Sequence, residues 1–350
     1  MTITALDRRR FLALAGIAAG GAFAPAFTRS AFGATTLTGV TYLPPSYKAL
    51  SFGSEGFVER LKKAAPEETT VEFFDSGTLL AADEQLPALR AGQIQFMFHT
   101  SSYITRSLPI LGITGLPGIA ETLYENPDRL AMGSPLFELM NEELASDDLY
   151  MLSLGGGLLQ PEYIWSTEDS PIRSIADIEG KKVRVVSYEA TKVIENFGAA
   201  AVRIPSSEIY LAMQRGTVDA AVANISTIIG RSVQEETAVL YELPLTAYGI
   251  GVFVSRRRWD NEFPDEVKEA MMSSARWFDE HSAKEANEVI YPGDYRDALE
   301  SAGVETVDPS EEDLDRLAEA AEGVIEEWRE EVGEEVGTRA IALANGESAG

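Results

Sequence analysis

Arg184 stands in the β-branched run Val183-Arg184-Val185-Val186. A guanidinium in such a run is costly to bury unless acceptors meet it. Strand alternation puts Val183 and Val185 on one face and Arg184 on the other. The planar fork of an arginine offers two parallel donors to a carboxylate, a geometry that lysine lacks. Composition alone favours a rival reading, a structural arginine paired with an acid of the same chain.

The elements around Arg184 decide what it can reach. Ser187 is a candidate N-cap, and Glu189 lies in the first turn of the helix it would start. Helical spacing runs through Val193 and Phe197 to a stop at Gly198. A short strand follows over 201–204. Pro205-Ser206-Ser207-Glu208 then opens a second helix, closed by Gly216, and 218–223 reads as a third strand. The β-α-β-α-β order predicts a right-handed parallel sheet. Ligands of such sheets lie outside the carboxyl ends of the strands. Arg184 is near such an end, which makes it a candidate ligand clamp.

The first half repeats this pattern. Strands are expected over 36–42, 71–74 and 94–98. Between them come a helical stripe (Phe57, Val58, Leu61, Ala64) and a helix over about 81–90 that stops at Gly92. The third strand runs into His99-Thr100-Ser101-Ser102-Tyr103. Two readings of this polar cluster stand together: one hydroxyl, of Thr100 or Ser101, caps the next helix, and a neighbour lines a pocket. His99 by itself reads first as a hydrogen-bonded structural histidine. The segments 112–118 and 151–159 supply strand or loop between the two units.

Beyond Asn224 comes a polar helical stretch and then 243–254, where Tyr248, Gly249 and Gly251 suit a return crossing between domains. Arg256-Arg257-Arg258-Trp259 reads as salt-bridged surface. Pro264 starts a long helix with Val267, Met271, Ser274, Phe278 and Ala286 near one face. It would run to about residue 290, roughly 40 Å, long enough to bridge two domains. An acidic helix over 310–336 is expected to bury Leu314, Leu317, Ala321, Ile325 and Trp328.

The chain has 350 residues, enough for two ordinary domains, and 45% of them are hydrophobic. Its 56 acidic and 29 basic residues leave a net charge of −27. Such a polyanion is a poor nucleic-acid binder. The acids are dispersed, as on the solvated surface of a salt-adapted, halophilic protein; an acidic mesophilic protein is the alternative. The absence of cysteine excludes disulfides, thiolate metal sites and cysteine nucleophiles. Residues 1–33 read as a twin-arginine signal peptide. They contain Arg8-Arg9-Arg10-Phe11-Leu12, a short apolar run over 13–24, and a cleavage site near Gly33 after Ala31 and Phe32. The expected location is therefore periplasmic.

Catalytic signatures are missing from the sequence. His99 and His281 are the only histidines and lack metal-ligand spacing. There is no G-x-S-x-G and no P-loop, and Gly155-Gly156-Gly157 does not continue into a dinucleotide fingerprint. Asp219 is open to both a functional and a structural reading. The expectation is a binding protein without cofactor or metal, not an enzyme.

Four stretches resemble the solute-binding proteins of tripartite ATP-independent periplasmic (TRAP) transporters, the DctP-like family. The run Ser174-Ile175-Ala176-Asp177-Ile178-Glu179-Gly180-Lys181-Lys182-Val183-Arg184-Val185 is similar to S-x-x-D-[LIM]-x-G-x-K-[ILV]-R-V. The run from Ser207-Glu208-Ile209-Tyr210 to Gly216-Thr217-Val218-Asp219 is similar to S-E-x-Y-x-A-[LM]-Q-x-G-x-[VI]-D. Residues 86–96 and 252–267 resemble a helix-Gly-strand step and the crossing strand with its Pro-started helix.

The resemblance implies an α/β, two-lobed periplasmic-binding-protein fold with crossing hinge strands and a long domain-bridging helix. The expected division is lobe I over 34–161 plus 249–286, lobe II over 162–248 plus 287–340, and a flexible tail over 341–350. It implies that Arg184 grips a ligand carboxylate in the inter-lobe cleft and that Asn224, one residue beyond the family's position, adds a second contact. A second basic residue common in the family is replaced by Ile164. That departure, with Tyr163 and Trp165 beside it, points to a monocarboxylate packed on aromatic rings. Asp83, His99, Thr100, Ser206 and Tyr248 are further candidate lining residues. The implied partners are a small organic acid and the small and large TRAP permease subunits. Rival readings are an ABC-type or sensor-linked binding protein and, from another class, an exported cofactor enzyme. Neighbouring genes and the colour and metal content of the purified protein would separate them.

Overall fold

The computed structural model describes residues 35–347. The signal-peptide reading of residues 1–33 and the last three residues lie outside this range. Among the described residues, eleven strands form two mixed sheets. The first contains β1 (Thr35–Thr41), β2 (Thr69–Phe74), β3 (Phe96–Thr100), β4 (Leu149–Ser153) and β10 (Ile250–Ser255), in the order β2-β1-β3-β10-β4. The second contains β5 (Glu162–Ser166), β6 (Lys182–Val185), β7 (Ala200–Arg203), β8 (Ala220–Ala223), β9 (Val239–Thr246) and β11 (Glu305–Val307), in the order β11-β9-β5-β8-β6-β7.

Each sheet is built on one β-α-β-α-β unit, as the alternating pattern implies. In the first, β1 lies between β2 and β3, parallel to both. In the second, β6 lies between β7 and β8, parallel to both. Tyr42, just past the end of β1, and Arg184, near the end of β6, therefore occupy equivalent places at the carboxyl ends of the two central strands. One antiparallel strand links each unit to the rest of its sheet: β10 pairs with β3 and β4, and β5 with β8 and β9, while the edge strand β11 runs parallel to β9.

Among the described residues, the chain passes between the sheets three times. β4 leads through Gly155-Gly156-Gly157 to β5. β9 leads through Ala247-Tyr248-Gly249 to β10. The helix Asp265–Glu285 continues through a wider-wound π segment, Ala286–Tyr295, toward β11. The long bridging helix expected after Pro264 is thus present, and its extension is not regular α-helix. Gly156 is obligatory at the first crossing: its φ is +79°, and a Cβ there would lie 1.7 Å from the Asp279 carbonyl oxygen.

Alternation divides the apolar side chains into two clusters, one on each face of the sheets. Met97, Ile164, Val183, Val185 and Val222 belong to one. Phe96, Phe98, Trp165, Ala221 and Ala223 belong to the other. Arg184 points away from Val183 and Val185, as its place in the strand requires.

Two expectations for the C-terminal region need correction. The acidic helix Glu311–Val332 buries Leu317, Ala321, Val324 and Trp328. Leu314 is 42% exposed, because the buried stripe starts one turn later. The tail drawn from residue 341 is helical through its first four residues, in the helix Glu334–Ala344. Ala344 is buried and its carbonyl accepts a bond from Arg129, which anchors that turn. This last helix packs against the helix Pro135–Ala145 of the first sheet's lobe. Arg256 pairs with Asp260, Arg257 lies 4.0 Å from Asp148, and Arg258 pairs with Glu262. Arg256 and Arg257 are salt-bridged surface, as the acidic background suggests, whereas Arg258 is buried and its Nη1 also donates to the Gly92 carbonyl at 2.7 Å.

Candidate functional site

Arg184 is 2% exposed, although it carries a full charge. Its Nε donates to the Ile204 carbonyl at 2.8 Å and its Nη1 to the Val222 carbonyl at 2.9 Å. Ile204 follows β7 and Val222 lies in β8, so the strands on either side of β6 hold the guanidinium. Both acceptors are backbone carbonyls. They fix the orientation of the fork without neutralising its charge.

The guanidinium lines a small chamber between the two sheets. From the second sheet's lobe come Arg184, Glu162 and Ser206; from the first come Tyr42 and Thr100, with Tyr248 from the crossing. The open space inside is about 10 Å³, close to that of a single water. Outside it lies a cleft of about 750 Å³, whose walls include Asp83, Arg203, Glu208 and Arg231. Tyr42, Tyr103, Val186 and Ser206 line both spaces and form the partition between them.

Several cross-lobe bonds hold this partition shut. The Ser206 N–H donates to the Tyr103 hydroxyl at 2.8 Å, and Arg203 donates to the Tyr103 carbonyl at 3.0 Å. Arg231 Nε donates to the Tyr47 hydroxyl at 3.0 Å, and Ser46 Oγ to the Gly230 carbonyl at 3.0 Å. Deeper in, Thr105 Oγ1 donates to Glu189 at 3.0 Å and the Trp328 indole to the Pro109 carbonyl at 2.7 Å. The described conformation is a closed one.

Glu162 is the second buried charge site of the chamber, 2% exposed. Its Oε2 accepts from Thr246 Oγ1 at 2.9 Å. Burial pushes its carboxyl up to about 7, against the opposing pull of Arg184 and of the Thr246 bond. Glu189 is likewise pushed up to about 7 by burial, opposed by hydrogen bonds that include the one from Thr105. Burial also raises the Tyr42 and Tyr248 hydroxyls well above the ordinary tyrosine value, so both are neutral donors.

The nine candidate residues do not all meet here. Arg184, Thr100, Ser206 and Tyr248 line the chamber. Asp83 is exposed in the outer cleft. Asn224 is a correction: it caps the helix Ile225–Gly230, its oxygen accepting from Ser226 N and the Tyr291 hydroxyl, and its nitrogen donates to the Gln160 carbonyl. Trp165 is packed in an apolar cluster, its indole donating to the Ala223 carbonyl at 2.8 Å. Tyr163 is half-buried outside the chamber lining. The aromatic platform expected around Ile164 is therefore absent from the chamber; Ile164 itself is core.

His99 lies behind the chamber wall. Its Nδ1 is 3.1 Å from the Thr100 carbonyl and its Nε2 2.9 Å from the Ala82 carbonyl. The ring packs on Tyr42 and Tyr103, with centroids 4.9 and 5.8 Å away. It supports two lining tyrosines, in keeping with a structural histidine. Sequence reasoning missed Glu162 and Tyr42. The signal for Tyr42 was its place at the carboxyl end of the first unit's central strand. Glu162, a charge beside the run Tyr-Ile-Trp, carried a weaker one. Among the described residues, no group of three or more His, Asp or Glu side chains is arranged to hold a metal ion.

The site is therefore a buried, carbonyl-anchored arginine between the two lobes of an α/β architecture. The chain belongs to the bacterial extracellular solute-binding protein family 7, whose family model matches residues 43–331. It is 25% identical over 192 residues to a solute-binding protein of Albidiferax ferrireducens, 53% of each chain. It is 24% identical over 278 residues to the 2,3-diketo-L-gulonate-binding periplasmic protein YiaO of Escherichia coli, covering 75% of this chain and 76% of that one. The chain thus spans about half the length of the first relative and three quarters of the second. An extracytoplasmic solute receptor of Bordetella pertussis binding pyroglutamic acid shares the fold at a TM-score of 0.78 and 20% identity, over 89% of this chain and 100% of that one. A TRAP periplasmic solute-binding protein from Rhodoferax ferrireducens with bound malonate does so at 0.75 and 21% identity, over 89% and 97%.

Proposed function

We propose that this protein is the extracytoplasmic receptor of a TRAP transporter, which captures an organic acid between its lobes and passes it to the membrane permease subunits. The observation that carries this reading is the anchoring of Arg184. Two backbone carbonyls hold its Nε and Nη1, and Nη2 has no hydrogen-bond partner among the described residues. A buried, oriented and charged fork of this kind suits a ligand carboxylate. The names of the relatives and neighbours support an acid ligand, since pyroglutamate, malonate and 2,3-diketo-L-gulonate all carry one.

Arg184, Thr100, Ser206 and Tyr248 are the proposed ligand contacts, and Tyr42 joins them. One guanidinium in the inner chamber favours a single carboxylate, hence a monocarboxylate. The chamber as described is too small for such an acid, so the lobes open to admit it and close around it with the chamber wider than it is here. Ligand then favours the closed state because only that state offers contacts from both sheets. Export by the twin-arginine route and a periplasmic location complete the proposal. The test is equilibrium binding of the purified protein to a panel of mono- and dicarboxylates, with Arg184→Ala as control. Saturable, Arg184-dependent binding of an acid is expected. Full affinity in the variant would refute the clamp.

A further inference from the structure

The inner chamber presents two poles. Arg184 and Glu162 line the same space, and each is 2% exposed. They do not satisfy one another: Arg184 donates to the Ile204 and Val222 carbonyls, and Glu162 accepts from Thr246. The rest of the lining offers hydroxyls and apolar surface. A carboxylate accepts at up to about four lone-pair sites, and a single hydroxyl does not offset its removal from water.

Resting on the receptor reading above, we propose that Glu162 is a specificity-determining residue, and that the ligand is an organic acid which also carries a nitrogen-bound proton, such as an amino, imino or lactam acid. The ligand carboxylate meets Arg184 and its N–H or N–H⁺ meets Glu162. A ligand with a second carboxylate would set like charges against each other in a buried space. An acid whose nitrogen is replaced by oxygen or carbon would leave the buried carboxylate without its donor. Sites built around a buried polar group reject such analogues strongly.

Calorimetric titration with matched ring acids at about pH 8, where the Glu162 carboxyl is largely ionised, tests this. The probes are L-proline, with an ammonium-type nitrogen; L-pyroglutamate, with a lactam N–H; and tetrahydrofuran-2-carboxylate and cyclopentanecarboxylate, which have neither. At least one nitrogen acid should bind about tenfold or more tighter than both analogues. Glu162→Gln should shrink that gap below about threefold, while Arg184→Ala weakens all four alike. Proline ahead of pyroglutamate would assign an ammonium to the Glu162 pole, and the reverse order a neutral N–H; both support the proposal. Equal binding of nitrogen and non-nitrogen acids by the unmodified protein overturns it, whatever the folding of the variants. So does binding of carboxylates with no nitrogen acid among them, or tighter binding of malonate. In each of those cases Arg184-dependent binding still upholds the receptor reading, which fails only if Arg184 proves irrelevant.

Discussion

The backbone N–H of Ser206 donates to the hydroxyl of Tyr103 at 2.8 Å, a bond between residues 103 positions apart that joins one lobe to the other. Both residues line the inner chamber and the outer cleft, so the bond sits in the wall that separates them. Such a bond contributes about 0.5–1.5 kcal/mol to the closed state. Tyr103→Phe keeps the ring and removes the acceptor. Ligand should dissociate several-fold faster from this variant, with the association rate nearly unchanged, as read by stopped-flow fluorescence. An unchanged dissociation rate would show that the partition is held elsewhere.

Arg184 has two tasks, and substitutions should separate them. Arg184→Ala removes the charge and also strips the donors from two backbone carbonyls. Each buried acceptor left unpaired costs roughly 1–3 kcal/mol. This variant should lose ligand binding by at least about a hundredfold and also melt at a lower temperature. Arg184→Lys keeps a charge without the fork and should still bind at least about tenfold more weakly. Chemical denaturation beside binding measurements checks both expectations. Undiminished stability of the alanine variant would contradict the carbonyl anchoring.

Two of the buried carboxyls set a pH dependence. Glu162 and Glu189 are each held near 7 in the folded protein, above the ordinary carboxyl value of 4.5. The folded state keeps these protons where the unfolded chain has released them. Their contribution is fully present below about pH 4.5 and is lost as pH rises through about 7. Replacing either by Gln removes its share of that loss. Between pH 4 and pH 8, Glu162→Gln and Glu189→Gln should each gain on the unmodified protein by up to roughly 3 kcal/mol. Urea unfolding across that range would show the stability difference changing with pH. Parallel curves would mean that the carboxyls titrate normally.

The acidic C-terminal helix gives a test of its buried face. Trp328 is buried and bonded to the Pro109 carbonyl, whereas Leu314 is 42% exposed. Trp328→Ala should cost about 3–5 kcal/mol. Leu314→Gln should change stability by less than about 0.5 kcal/mol. Denaturant midpoints of the two variants decide it, and a large loss from the leucine change would return that residue to the core.

Local pattern settled the elements and their order. Period-2 alternation placed Arg184 opposite Val183 and Val185, and two successive β-α-β-α-β runs implied two parallel cores, since the relevant interactions lie within a few residues of each other. Asn224, Trp165 and Tyr163 show where this stops. Asn224 follows β8, which flanks Arg184, and Trp165 and Tyr163 lie in β5, one strand further out, yet a helix cap, a core contact and a site outside the chamber claim their side chains. What each side chain faces depends on which strand lies next to it and how the two sheets meet. Only the tertiary structure brings Glu162 of β5, Tyr42 after β1 and Tyr248 of the crossing around Arg184. Burial there is what raises the Glu162 carboxyl, and burial belongs to no single stretch of the chain.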